Sequence, residues 1–230
     1  MEPTLNERAY QHIRQRLVEG KLAAGQRLVT RNLAEEIGVS LAPIREALHR
    51  LATEGLVIHQ PGAGAFVRQP NRQDLEELYV LRDAIESCAA AEAAKYASPE
   101  QLDEMDEIVG RWSEIAAEVS SCGKATQGLL DRWLDNEEGF HLILVEASRN
   151  RLLTKIIQDH RAIATVFEAQ RHNPKLLTPE VCQETCQARR ELMQALRNRE
   201  AETARQLMSQ QINRGKKVVL GFLRRSRNSH

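Results

Sequence analysis

The sequence predicts a mainly α protein in two parts, a small domain of three helices and a β-hairpin over residues 1–70 and an all-α helical bundle over residues 71–230. Three observations predict it. Glycines punctuate the first part at positions 20, 25, 38, 55, 62 and 64, where short elements must turn back on one another. After "QPNRQD" the texture changes to apolar residues recurring every three and four positions, the spacing of one helical face. Aromatic residues make up 4% of the chain, too few for a sandwich or barrel of aromatic strands. A length of 230 residues suffices for two domains that each bury a core.

In the first part, Ala9, Ile13 and Leu17 form the apolar stripe of a first helix that ends at "EGKLAAGQRL". Thr30 is expected to cap a second helix, with Leu33, Ala34 and Ile37 inward and Gly38 closing it. Ser40 is expected to cap a third. There Ile44, Ala47, Leu48 and Leu51 fall at i, i+3, i+4 and i+7, so Ala42, Arg45, Glu46 and His49 must face outward. Pro43 takes the first turn, where its missing N–H is no loss. Beyond Gly55, "LVIHQ" and "AFVRQ" flank "PGAG" and read as two strands and a tight turn.

The second part opens with a helix from Asn71 or Gln73 to about Ala97, its stripe running through Leu75, Leu78, Leu81, Ile85 and Cys88. Five or six further helices are expected, separated at "SPEQ", "SCGKATQG", "SRNR", "HNPKLLTPE" and "RNRE". No β-alternation and no repeat appears there.

Thirty-two basic and thirty-two acidic residues cancel, but the charge is sorted along the chain. Residues 100–138 hold eleven acidic and three basic side chains; residues 213–230 hold six basic and no acidic ones. The basic end reads as a solvated helix terminus suited to the negative end of the helix dipole rather than as a nucleic-acid arm. No apolar run approaches the ~20 residues of a membrane span, and charges interrupt the amino terminus where a signal peptide is apolar. A cytoplasmic protein is expected. Cys88, Cys122, Cys182 and Cys186 form no CxxC pair and are read as reduced thiols.

A helix with an aliphatic back and a front bearing Arg45 and His49 suits the major groove of DNA, where arginine reads guanine edges and phosphates. Three helices followed by a glycine-tipped hairpin amount to a winged helix-turn-helix. "SLAPIREALHRLATEGLV", Ser40 to Val57, resembles the recognition-helix signature S-R-T-P-V-R-E-A-L-x-R-L-x-x-E-G-L-V of the GntR family of bacterial transcription regulators. The likeness extends through "IRQRLVEGKLAAGQRL" and "PGAGAFV". "DLEELYVLRDAIESCAAAEAA" and "GFHLILVEASRNRLL" are similar to segments of the helical, FCD-type ligand-binding domain of its FadR subgroup.

The resemblance implies a sequence-specific transcriptional regulator, more usually a repressor, that binds double-stranded operator DNA as a homodimer and responds to a small organic-acid effector. It implies DNA contacts from Arg31, Arg45 and the wing glycines Gly62 and Gly64, to which the outward helix end adds Ser40, Leu41, Ala42 and His49. Leu41 departs from the family's arginine, so an altered operator is expected.

The subgroup commonly holds a divalent metal with one carboxylate and three histidines. Glu137 and His141 match the first pair, but the other two positions fall on Arg189 and Gln211, so the metal site looks dismantled and no metal cofactor is expected; any residual ion would rest on Glu137 and His141. Two readings of Arg189 stay open: it binds the effector's carboxylate directly, or it pairs with Glu137. Arg82 is a second candidate, which completes an expected effector set of Arg82, Glu137, His141, Arg189 and Gln211. His160 and His172 are read as surface or capping histidines. The rival function is a metal-dependent enzyme using Glu137 and His141, against which stand the absence of HExxH spacing and of a recognisable nucleophile with its base.

Overall fold

A computed structural model describes residues 3–157 and 173–227. The chain divides into two compact units, with the boundary between Asp74 and Leu75.

The first unit holds helices α1 (Leu5–Val18), α2 (Thr30–Ile37) and α3 (Leu41–Thr53) and strands β1 (Arg27–Leu28), β2 (Val57–Gln60) and β3 (Gly64–Val67). Thr4 caps α1 by accepting the Glu7 N–H, and Ala9, Tyr10, Ile13 and Leu17 turn inward. They pack on α3, whose Ile44, Ala47, Leu48 and Leu51 are at most 2% exposed. Both expected caps need correction. Val29, not Thr30, is the N-cap of α2, because Thr30 is already helical. Ser40 holds the N-cap position of α3 without a side-chain bond. A capping hydroxyl bonds the N–H of the second or third helical residue, and here the third is Pro43, which has none. Ile37, expected inward, is only half-buried.

The hairpin is longer by a strand than expected, since β1 joins β3 on the side away from β2 and makes a three-stranded antiparallel sheet in the order β1-β3-β2. Two residues carry no alternation, so β1 is invisible to periodicity. Gln60 faces Gly64 across the turn, and Gly64 sits at φ +104°, a conformation that side chains rarely tolerate.

The second unit holds α4 (Arg72–Tyr96, whose first turn belongs to the first unit), α5 (Pro99–Cys122), α6 (Gln127–Ala147), α7 (helical over 151–157), a 3-10 turn (Pro174–Leu176), α8 (Pro179–Arg197) and α9 (Ala201–Arg227). Ser98, Thr126 and Thr178 cap α5, α6 and α8 with their hydroxyls, and Ser98 completes a capping box with Gln101. α5 packs on both α6 and α8, and α8 on α9. Trp112, fully buried on α5, is the centre of this core: its ring lies 5.9 Å from Trp133 and 5.5 Å from Phe140 of α6. Its indole N–H donates to the Trp133 carbonyl at 3.2 Å.

On α4 the stripe departs from its expected course. Leu75 and Leu78 are buried, but Leu81, Ile85 and Cys88 are only half-buried, while Tyr79, Glu86, Ser87 and the alanines Ala89, Ala90, Ala91, Ala93 and Ala94 are covered. Hydrophobic spacing counts Glu86 as a surface residue. Inside the fold its charge is met by Arg82, one turn earlier, at 2.7 Å. The four cysteines are free thiols, with Cys182 and Cys186 buried, Cys88 half-buried and Cys122 exposed. Burial pushes the Cys182 thiol up to about 12 and raises Cys186 as well. Among the described residues no helix is long and apolar enough to cross a membrane.

Candidate functional site

Each unit carries one candidate site. In the first, Ser40, Leu41, Ala42, Arg45 and His49 are all exposed along one end and side of α3. The neighbouring charges on that helix are already engaged. Glu46 accepts from Asn6 of α1 at 2.6 Å; Arg50 bonds Glu7 at 2.9 Å and lies over the Tyr10 ring, 3.5 Å from its centroid. Arg45 and His49 have no such partner among the described residues. Arg31, on α2, is 83% exposed and among the described residues reaches only Glu35, one turn on, at 3.1 Å. Gly62 and Gly64 stand at the wing tip, both with positive φ.

Arg27 was not among the predicted residues. It lies on β1, exposed, with its Nε 3.7 Å from where a Cβ of Gly64 would stand, and no carboxylate pairs with it among the described residues. Its signal, one arginine in "GQRL", acquires meaning only once β1 is placed beside the wing.

In the second unit a chain of five ionisable side chains runs across three helices. Arg82 bonds Glu86 on α4, Glu86 approaches His141 Nδ1 of α6 at 3.1 Å, and His141 Nε2 lies 3.0 Å from Glu137 Oε1. Arg189 of α8 closes it, its Nη2 2.7 Å from Glu137 Oε1 and 3.3 Å from His141 Nε2. The Arg189 side chain is 4% exposed, and its guanidinium carbon sits 5.1 Å from the Trp112 ring and 4.8 Å from Phe140. Burial resists ionisation of Glu137, but the guanidinium of Arg189 outweighs it and holds the carboxyl far below the usual range. Glu86 is likewise opposed by burial and lowered by Arg82 and then His141; Arg82 is more firmly protonated than an ordinary arginine because Glu86 outweighs its burial.

Four of the five expected effector residues thus meet, and Glu86, with the aromatic floor of Trp112 and Phe140, joins them unpredicted. Gln211 does not enter the charge chain: its Nε2 donates to the Ala188 carbonyl at 2.7 Å, and its Oε1 is buried without a partner among the described residues. Arg189 Nε and His141 Nδ1 are the other two buried polar atoms there that make no well-formed hydrogen bond. His160 and His172 lie outside the described residues. Among the described residues no group of three His, Cys, Asp or Glu side chains is placed to hold a metal ion.

The model of the bacterial regulatory proteins, gntR family, matches residues 5–67, and that of the FCD domain matches residues 77–214. The HTH-type transcriptional regulator McbR of Escherichia coli K12 is 27% identical over 146 residues, 64% of this chain and 62% of McbR. The Nta operon transcriptional regulator of Aminobacter aminovorans is 31% identical over 134 residues, 58% of this chain and 59% of that protein. The chain therefore spans about three-fifths of these relatives' length. The solved structure of E. coli McbR/YncC superposes with a TM-score of 0.74 at 21% identity, covering 96% of this chain and 99% of that one. A putative GntR regulator from Rhodococcus sp. RHA1 gives 0.69 at 22%, covering 94% and 97%. These two likenesses show the fold. The two family matches follow one another in chain order, and the second alone covers well over half the residues. The chain belongs to the GntR family of bacterial regulatory proteins, in the FadR subgroup whose second domain is an FCD domain.

Proposed function

We propose that this protein is a cytoplasmic, homodimeric transcriptional repressor that reads double-stranded operator DNA with α3 and the wing and releases it in response to a small organic acid, and that it is not an enzyme. The observation that carries the DNA reading is the division of labour on α3. Glu46 and Arg50 are tied back to α1, while Arg45 and His49 have no partner among the described residues and Ser40, at the N-cap, makes no side-chain capping bond. A helix presented in this way offers donors to guanine edges and phosphates. Its short reading length favours two half-sites and hence a dimer. Repression is supported by the relative named HTH-type transcriptional repressor RspR, 25% identical over 164 residues. The first unit, residues 1–70 in function, reads DNA; residues 71–230 bind effector and partner subunit.

The effector reading rests on Arg189. Its Nη2 is committed to Glu137, but Nε is buried without a partner and Nη1 touches only Met208 Sδ at 4.0 Å among the described residues. Every two-pronged edge of a guanidinium includes Nη2, so Nε and Nη1 are single donors left for an effector carboxylate, and a two-pronged grip requires Nη2 to leave Glu137. The test is fluorescence anisotropy with duplexes tiled across the DNA flanking the protein's own gene, at two salt concentrations. One duplex bound far more tightly than the rest supports the reading; salt-sensitive binding alike for all duplexes overturns it. Release of that duplex by members of a panel of small mono- and dicarboxylic acids tests the effector.

A further inference from the structure

We propose that Arg189 is a built-in cation that takes the place of a divalent metal in this cluster, making the protein metal-independent. The fold family implies an ion held by the carboxylate and histidines at positions 137, 141, 189 and 211, and the residues present do not fit one. A single nitrogen, Arg189 Nη2, lies within hydrogen-bonding distance of both atoms that would ligate it, Glu137 Oε1 at 2.7 Å and His141 Nε2 at 3.3 Å. A guanidinium has no lone pair to give and keeps its positive charge at every physiological pH, so it excludes a second cation from that position.

The surroundings are built to hold the guanidinium there. Its side chain is 4% exposed, two aromatic rings flank it within 5.1 Å, and Glu137, the carboxylate that would pair with a metal, pairs with it instead. On the far side of His141, Glu86 is held by Arg82, so both carboxylates of the cluster already have a fixed cation. Gln211 turns its amide N–H to the Ala188 backbone rather than to the cluster. An ion is unnecessary for charge balance and lacks ligands.

The inference concerns the same cluster as the effector reading, but its test uses no effector or DNA, so the two fail separately. The full-length protein, purified without chelator and incubated with zinc, nickel or manganese chloride, is desalted and analysed for bound metal, and its unfolding temperature is read with and without chelator. Wild type is expected to retain far less than one ion per chain and to unfold at the same temperature in all conditions. Arg189→His removes the fixed charge and offers an imidazole beside the same two ligand atoms. That variant should take up about one zinc ion per chain and gain thermal stability that chelator reverses. Arg189→Lys, which keeps a cation, should remain metal-free. Stoichiometric metal in wild type that His141→Ala abolishes overturns the proposal. So does an Arg189→His protein that takes up no zinc, or one that fails to fold even with zinc present.

Discussion

Arg50 lies over Tyr10, its guanidinium carbon 3.5 Å from the ring centroid, while the Tyr10 hydroxyl bonds Glu54 at 2.9 Å. This contact fastens α3 to α1 and separates two arginines five residues apart on one helix. Arg50→Ala is expected to lose about 1 kcal/mol of stability, the size of an exposed cation–π contact with its ion pair, and to keep its operator affinity. Arg45→Ala and Arg31→Ala should do the reverse, leaving the unfolding temperature in place and abolishing specific binding. Footprints of both variants matching wild type would remove the DNA-reading assignment.

Leu41, 42% exposed at the first position of α3, marks the departure from the family's arginine. Restoring it with Leu41→Arg should shift the sequences recovered by in vitro selection toward guanine at one symmetric position of each half-site, by about 1–3 kcal/mol of discrimination. Identical selected sequences for the two proteins would show that the side chain does not face the bases.

Arg27, exposed beside Gly64, is expected to meet the phosphate backbone rather than a base if the wing approaches DNA. Arg27→Ala should weaken binding to all duplexes about equally and lower the slope of log affinity against log salt by about 1. A loss confined to one sequence, with the slope unchanged, would argue for base reading instead.

The paired carboxylates predict how acid acts on the second unit. Glu86 and Glu137 ionise more readily in the folded chain, so their pairs contribute fully above the ordinary glutamate value of about 4.3. That contribution disappears as pH falls from there through the depressed folded values. Glu137→Gln strands a buried guanidinium and should cost about 3 kcal/mol at neutral pH. Denaturant titrations should show this gap narrowing on acidification; a gap constant into strong acid would mean that Glu137 is not held ionised.

Cys122 is exposed, whereas Cys182 and Cys186 are buried with raised thiol values. Iodoacetamide at mildly alkaline pH should label Cys122 in the native protein well before either of the others. Equal labelling rates, read by mass spectrometry, would show that α8 opens on that timescale.

Much of the fold was legible because it is written in local spacing. The aliphatic stripe of α3, the glycine turn of the wing and the helix breaks at "SPEQ" and "RNRE" each lie within a few residues, and each appears where the sequence puts it. Two of the misreadings share one cause. Ser40 holds the cap position, but Pro43 removes one of the two N–H groups its hydroxyl would bond; Glu86 looks like a surface residue until Arg82 is seen to neutralise it inside. In both, the meaning of one residue depends on the chemistry of another three or four positions away, which hydrophobic periodicity does not register.

By itself the sequence determined the helical architecture, the outward face of α3 and, through motif resemblance, the family. The tertiary structure alone decided which charges meet. Glu137 and Arg189 lie 52 residues apart in the chain and 2.7 Å apart in space, and Glu86 reaches His141 across two helices at 3.1 Å. Local patterns follow from backbone geometry within one helix, so sequence spacing suffices for them. A pairing between helices depends on how their faces pack, and packing is settled only when the whole core closes around Trp112 and Phe140.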